Sequence, residues 1–98
     1  MVERQVFVRL KPEYATERGR EELAARANRL SRLPDLRGLT IGAPADEASK
    51  GAWDISLTLR VDSLAAIERC MEHPLYVAFA QGFLEARAHV IKAWNFEV

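Results

Sequence analysis

Residues 53–61 constrain the fold more than any other segment, because they predict a strand whose two faces differ in chemistry. Apolar residues occupy every second position from Trp53 to Val61. The polar residues between them are Asp54, Ser56, Thr58 and Arg60. This alternation is typical of a strand that buries one face, since successive side chains of a strand point to opposite sides. The apolar face therefore needs helices to cover it, while the polar face can meet water or a partner.

Three further segments predict strands. The first has apolar residues at positions 6, 8 and 10 and ends at Lys11-Pro12. The second runs from Leu36 to Ala43 and is interrupted by two glycines. The last runs from Val90 to Val98 and is rich in Val, Ile, Trp and Phe, which are favoured in strands. Residues 44–51 join the second and third strands, and their mixture of Pro, Asp, Ser, Lys and Gly predicts a flexible loop.

Helical spacing predicts a helix between the first two strands and a helical region before the last. An apolar stripe runs through residues 16–33, where Gly19 weakens the first turn and the firm helix starts at about residue 20. Ser63 caps a short helix, and a second helix runs from Pro74 to about Arg87. Proline fits the first position of a helix and keeps the residue before it out of the helical region. His73 is therefore predicted to be a cap or boundary residue.

The element order is βαββαβ, which predicts an α+β fold with an antiparallel sheet and helices on one face. A chain of 98 residues has room for one domain, so residues 1–98 are expected to form a single unit. A monomer of this size buries only part of its apolar surface, and association with a second copy is a natural source of stability.

Composition excludes several classes of function. The formal net charge is zero, so neither nucleic acid nor an anionic membrane is an expected partner. No apolar run approaches the roughly 20 residues that span a bilayer. The single cysteine, Cys70, cannot close an internal disulfide, and the first residues lead into a strand pattern without an apolar signal core, which together favour the cytoplasm. His89 has no Cys or His at ligand spacing, so no metal site is expected.

Five segments, in this order and spacing, carry a resemblance that covers nearly the whole chain. They are the first strand with Lys11-Pro12, Gly51-Ala52-Trp53-Asp54, Asp62-Ser63-Leu64-Ala65-Ala66, the run from His73 to Phe79, and Trp94-Asn95-Phe96. The set resembles the stress-responsive A/B barrel (Dabb) family. The resemblance implies a ferredoxin-like fold and a homodimer, a dimeric α/β barrel in which the polar sheet faces of two subunits enclose a shared space.

The resemblance also suggests where a small organic ligand would bind. Residues of the polar sheet face and of the His73 helix are the predicted contacts: Gln5, Phe7, Arg9, Asp54, Tyr76 and Phe79. Asp54 and His73 are the catalytic candidates, since a carboxylate or an imidazole can move a proton. Each residue also has a structural explanation: Asp54 can pair with Arg9 or Arg60, His73 can cap a helix, and Tyr76 can be a core aromatic.

Whether the protein is an enzyme is left open. Plant polyketide cyclases of this family close an aldol ring without metal or cofactor, using histidines and a tyrosine. Here Gln5 and Asp54 stand at the positions of the strand histidines, Tyr76 replaces the second histidine of the His-Pro run, and Cys70 replaces the tyrosine. That activity is therefore not expected, and no cofactor is predicted. Ligand binding in the dimeric barrel is the first interpretation. The alternatives are a cofactor-independent cyclase, isomerase or lyase, and a structural or stress-protective oligomer.

Overall fold

The computed structural model describes residues 1–98 and contains one four-stranded sheet with helices on one side. The strands are β1 (Val2–Leu10), β2 (Gly38–Gly42), β3 (Ile55–Val61) and β4 (Ala88–Glu97). Their order across the sheet is β2-β3-β1-β4, and every neighbouring pair is antiparallel. The predicted α+β, ferredoxin-like architecture is therefore confirmed, with strand boundaries that differ by a few residues.

Five helices lie between the strands. They are α1 (Glu17–Asn28), α2 (Glu47–Ala52), α3 (Leu64–Glu72), α4 (Pro74–Phe79) and α5 (Glu85–Arg87). A 3-10 turn at Arg29–Arg32 extends α1, and a π-helical turn at Ala80–Leu84 joins α4 to α5. The region from Pro74 to Arg87 is thus helical as predicted, but it is not a single regular helix. None of the helices combines the length and the apolar character needed to cross a membrane.

The start of α1 shows why glycine occupies position 19. The Thr16 Oγ1 atom accepts a hydrogen bond from the Gly19 N–H over 3.0 Å and caps the helix. A Cβ atom at position 19 would collide with the backbone carbonyl oxygen of Tyr14. Glycine therefore allows a close approach of the preceding loop to the first turn, and the helix begins at Glu17 despite the low helix propensity of glycine.

The hydrophobic core lies between the sheet and the helical layer. It contains 18 buried residues, and none of them is polar or charged. The members from β1 and β3 are Val2, Val6, Val8, Leu10, Ile55, Leu57, Leu59 and Val61. Leu23, Leu30, Ile67, Phe79 and Phe83 are among the members from the helices and turns. The predicted apolar face of the central strands is therefore the face that the helices cover.

The prediction of a loop over residues 44–51 is wrong, because α2 occupies most of this segment. The Asp46 carboxylate accepts a hydrogen bond from the Ser49 N–H over 2.8 Å, so it caps the new helix. Glu47, Ala48 and Lys50 then supply residues with adequate helix propensity. An aspartate at the N-cap position was the signal for this helix, and the loop-like composition of its flanks concealed it.

His73 occupies the predicted boundary between α3 and α4. Its backbone is extended, with φ −66° and ψ 139°, and its Nδ1 atom accepts a hydrogen bond from the Leu75 N–H over 3.1 Å. Pro74 takes the first helical position, where its missing N–H leaves no bond unmade. His73 is therefore the N-cap of α4.

Replacement of this cap tests its structural role. We expect His73→Ala to lower the free energy of unfolding by about 0.5–2 kcal/mol, because the Leu75 N–H loses its acceptor. His73→Asn should restore most of that loss, since asparagine is a strong N-cap residue. Urea unfolding followed by circular dichroism measures both effects. A His73→Ala variant as stable as the original protein would show that the cap contributes nothing.

Candidate functional site

The sheet face that points away from the helices is called the open face here. The strand register places these side chains on it: Glu3, Gln5, Phe7, Arg9, Thr40, Ser56, Thr58, Arg60, Val90, Lys92, Trp94 and Phe96. It is polar along β1 and β3, as predicted, but β4 adds two large apolar side chains. Trp94 is 52% exposed and Phe96 is 53% exposed. An exposed pair of this size on a sheet is typical of a surface that another molecule covers.

A hydrogen-bonded row fixes the polar residues at one end of the open face. The Thr58 hydroxyl donates to Gln5 Oε1 over 3.1 Å, and Gln5 Nε2 donates to Glu3 Oε1 over 3.3 Å. Two nitrogens of the Arg60 guanidinium donate to Glu3 Oε2 over 2.6 and 3.1 Å. Arg60 thus pairs with Glu3 and not with Asp54, and the Gln5 amide is held in place by its neighbours.

Aromatic rings occupy the other end of the open face. The centroid of the Phe7 ring lies 5.6 Å from that of Trp53 and 6.3 Å from that of Trp94. Trp53 lies between the end of α2 and the start of β3. Its indole therefore lies at the edge of the open face, at one end of the sheet. The three rings form an apolar wall beside that end.

Asp54 joins the ends of two strands to the first helix. The pairing of β1 with β4 is irregular between Arg9 and Leu10, and there the Leu10 N–H donates to Asp54 Oδ2 over 2.7 Å. The other carboxylate oxygen of Asp54 lies 3.5 Å from an Arg20 nitrogen on α1. Only 13% of the Asp54 side chain is exposed. The Asp54 carboxylate therefore accepts from the backbone N–H of Leu10, where the strand pairing is irregular, and it balances the positive charge of Arg20.

Two clefts meet at Trp53 and Asp54. The inner cleft has a volume of about 530 Å³ and lies between α1 and the adjoining ends of β2 and β3; Glu17, Glu21, Ala24, Ile41, Pro44 and Ile55 contribute to its lining. The end cleft has a volume of about 730 Å³ and lies at the adjoining ends of β1 and β4; Arg9, Leu10, Pro12, Ala15, His89 and Val90 contribute to its lining. Both clefts also share Arg20, Lys50, Trp53 and Asp54. Volumes of roughly 300–1,000 Å³ are typical of small-molecule sites.

The predicted ligand-binding residues fall into three places. Arg9 and Asp54 line the end cleft. Gln5 and Phe7 lie on the open face. Tyr76 and Phe79 belong to α4 on the other side of the sheet, where their ring centroids lie 6.4 Å apart and Phe79 is part of the core.

The six residues therefore do not converge on one site within a single chain. In particular, Phe7 and Phe79 cannot form two walls of one cavity there, because the sheet separates them. The Nδ1 atom of His73, at the start of α4, is occupied by its capping bond. Which of these residues a ligand contacts stays a prediction.

Three residues of the clefts were missed by reasoning from the sequence. Arg20 and Trp53 were not among the predicted ligand contacts, and Lys50 lay in the segment predicted to be a loop. An aspartate cap before residue 47 could have revealed the helix that presents Lys50. The position of Arg20 depends on how α1 packs over the sheet, and no local pattern reports that packing.

Shifted pKa values occur away from the clefts. Burial raises the pKa of the Cys70 thiol above its ordinary value, and the nearby Asp35 carboxylate acts in the same direction. A hydrogen bond from Arg37 lowers the pKa of the exposed Asp62 carboxyl, and hydrogen bonds from Ser49 lower that of Asp46. Cys70 is thus a packed thiol in the core, and the two carboxylates have structural partners.

Comparison with solved structures shows the same fold in distant proteins. A protein of Arabidopsis thaliana has a TM-score of 0.83 at 18% identity, over 100% of this chain and 95% of its own. A hydroxynitrile lyase from Passiflora edulis has a TM-score of 0.81 at 19% identity, over 99% and 92%. A dimeric ferredoxin-like protein of unknown function from Jannaschia sp. has a TM-score of 0.77 at 22% identity, over 99% and 98%. At these identities the likeness establishes the fold and not the activity.

Comparison of the sequence gives the family. No curated protein matches the chain. The family model described as "Stress responsive A/B Barrel Domain" matches residues 2–93, which include all four strands except the last residues of β4. The match covers nearly the whole chain. The chain therefore belongs to the stress responsive A/B barrel domain family.

Proposed function

We propose that this protein is a homodimer that binds a small organic molecule where Trp53 and Asp54 separate the two clefts. The observation that carries the proposal is the meeting of two ligand-sized clefts at one aromatic ring and one carboxylate. Apolar surface with a few fixed polar groups is the usual composition of a small-molecule site. The Asp54 carboxylate is held by Leu10 and Arg20, so its orientation is set before a ligand arrives.

The open face supports the homodimer. Trp94 and Phe96 lie half-exposed on β4, beside the polar row of β1 and β3. Aromatic residues are enriched at interfaces between proteins, and a two-fold dimer uses the same patch on both subunits. A structural neighbour from Jannaschia sp. is itself described as dimeric. Packing of two open faces would place the Phe7 end of each sheet beside the partner, and would shield the wall next to the end cleft.

The state of assembly is directly measurable. We expect the protein to sediment as a dimer at micromolar concentration, with an interface that buries about 1,200–2,000 Å² or more in total. Sedimentation equilibrium over a range of protein concentrations gives the dissociation constant. A monomer at micromolar concentration would overturn the dimer. The aromatic wall of Phe7, Trp53 and Trp94 would then be exposed to water.

The NMR signals of the two tryptophans can be used to test ligand binding. The chain contains only Trp53 and Trp94, so a ¹⁵N spectrum shows two indole N–H signals, and Trp94→Phe identifies them. In a screen of small organic fragments, binders are expected to shift the Trp53 signal more than the Trp94 signal. Tyr76→Phe is the matched control, since Tyr76 lines neither cleft. Binding that is weakened by Tyr76→Phe and leaves the Trp53 signal unchanged would move the site to the helical layer and contradict the proposal.

Two further proposals concern the chain as a whole. We propose that residues 1–98 form a single domain, and the support is that its buried residues make one continuous core cluster. We also propose a cytoplasmic location. Its support is the unpaired thiol of Cys70, which is buried and needs no oxidising compartment.

A further inference from the structure

The end cleft has an excess of positive charge that the rest of the chain does not show. Arg9, Arg20 and Lys50 contribute permanent cations to its lining, and Asp54 contributes the single carboxylate. The protein as a whole has a formal net charge of zero. The inner cleft differs, because Glu17 and Glu21 add acidic groups on its side of Asp54. The two clefts share residues but have opposite charge balance.

Compensation of these cations within the chain is incomplete. Asp54 lies 3.5 Å from Arg20 and compensates it. Lys50 lies 3.6 Å from Glu47 on the same helix, but 95% of the Glu47 side chain is exposed, and such surface pairs are weak. Arg9 has no carboxylate within ion-pair distance in the structure. Its Nη1 atom donates to the Gly51 carbonyl oxygen over 2.6 Å, and this neutral acceptor fixes the guanidinium without cancelling its charge.

Apolar side chains line the end cleft together with these charged groups. Trp53, Leu10 and Val90 line the same space, and the Trp53 ring lies 5.6 Å from the Phe7 ring, in a tilted arrangement, at the edge of the open face. A guanidinium binds carboxylates through two parallel N–H···O bonds, and an apolar wall beside it favours an organic acid over an inorganic anion. The anchored Arg9 side chain thus presents a fixed donor next to a surface that an aromatic or aliphatic group can cover.

We infer that the end cleft binds a small organic carboxylate. The carboxylate group contacts Arg9 and Lys50, and the apolar part of the molecule packs against Trp53. This inference rests on the proposed function, because it names the class of ligand for the same site. It assigns to Asp54 a positioning role: the carboxylate holds Arg20 and the end of β1, and takes no direct part in recognising the anion.

Two probes of the same shape distinguish the effect of ligand charge on affinity from the effect of ligand shape. Phenylacetate and phenylacetamide both present one phenyl ring, and only the first has a carboxylate. We expect phenylacetate to shift the Trp53 indole signal with a dissociation constant at least about tenfold lower than that of phenylacetamide, a ratio that corresponds to roughly 1.4 kcal/mol. Inorganic phosphate should shift the signal less than phenylacetate, because it has no group to cover the indole.

Variants that remove one positive charge each show which side chain causes the preference for phenylacetate over phenylacetamide. Arg9→Gln should abolish the tenfold ratio, because it weakens the binding of phenylacetate far more than that of phenylacetamide. Lys50→Gln, on the exposed surface of α2, should reduce the ratio with no effect on folding. Arg60→Gln is the matched control, since Arg60 lies on the same face but is paired with Glu3. We expect it to keep the full ratio.

The outcomes distinguish the inference from the proposed function. Equal binding of the two probes at Trp53 would overturn the carboxylate inference and leave small-molecule binding standing. A preference for phenylacetate that survives both Arg9→Gln and Lys50→Gln would also overturn it. Failure of both probes to shift the Trp53 signal at millimolar concentration would overturn the proposed site and the inference together.

Discussion

Leu57→Ala is expected to lower the free energy of unfolding by about 2–5 kcal/mol, the usual range for deletion of a buried leucine side chain. Leu57 is 1% exposed and lies in the middle of β3. Its partners in the sheet are Val6 on β1 and Ile41 on β2, and all three side chains face the helical layer. The truncation therefore leaves a cavity between the sheet and the helices that rigid neighbours on both strands cannot fill.

Ser56→Ala is the matched control for this experiment. Ser56 precedes Leu57 in β3 and points to the open face, where it makes no side-chain hydrogen bond in the structure. Its replacement should change stability by less than about 0.5 kcal/mol, as is usual for substitutions outside the core. Chemical denaturation of both variants, with equal slopes against denaturant, measures the contrast. Equal losses would mean that the two faces of β3 are buried to the same extent, which the register does not allow.

The same alternation explains why the sheet could be predicted from the sequence. Successive side chains of a strand point to opposite faces of the sheet. A strand with one buried face therefore has an apolar residue at every second position, as in β3 from Ile55 to Val61. His73-Pro74 was equally informative, because proline restricts both its own backbone and that of the preceding residue. Signals of this kind are local, and they lead to the same elements in almost any tertiary context.

Elements that depend on a competition between signals were harder to predict. In α2, an aspartate cap and helix-forming residues compete with Pro44 and Gly51, and the cap prevails although the helix has no buried residue. The π-helical turn at Ala80–Leu84 also has no signature in residue type. Phe83 is buried within this turn, and the guanidinium of Arg87 lies 4.1 Å from the centre of its ring. Tertiary contacts of this kind cannot be recovered from local propensity.

In the candidate site, too, local sequence patterns predicted some positions, whereas others depend on tertiary packing. Arg9 and Gln5 could be placed on the polar face, because alternation along β1 is sufficient to assign them. Tyr76 was predicted to contact the same ligand, but within one chain it lies on α4, on the other side of the sheet. The clefts themselves join Arg20, Lys50 and Trp53 from three separate segments. Only the tertiary placement of α1 and α2 next to the strand ends brings those residues together.

Trp94→Glu is expected to convert the proposed dimer into folded monomers. Trp94 lies on the open face opposite Gln5 in the register, and its ring approaches that of Phe7. Loss of an aromatic side chain from the centre of an interface typically costs 2 kcal/mol or more, and a carboxylate enclosed there without a partner adds to the loss. We therefore expect the dissociation constant to rise by more than about a hundredfold, which corresponds to roughly 2.8 kcal/mol or more.

The fold should survive this change, because Trp94 contributes nothing to the buried core. Leu64→Glu is the matched control: Leu64 is also a large apolar residue, 59% exposed, but it begins α3 on the opposite side of the sheet. A glutamate in the first turn of a helix is favourable, so this variant should remain folded and dimeric. Sedimentation equilibrium measures the association, and circular dichroism verifies the fold. A Trp94→Glu protein that still associates as tightly as the original would place the interface elsewhere, and the end cleft would then lie on a free face of the dimer.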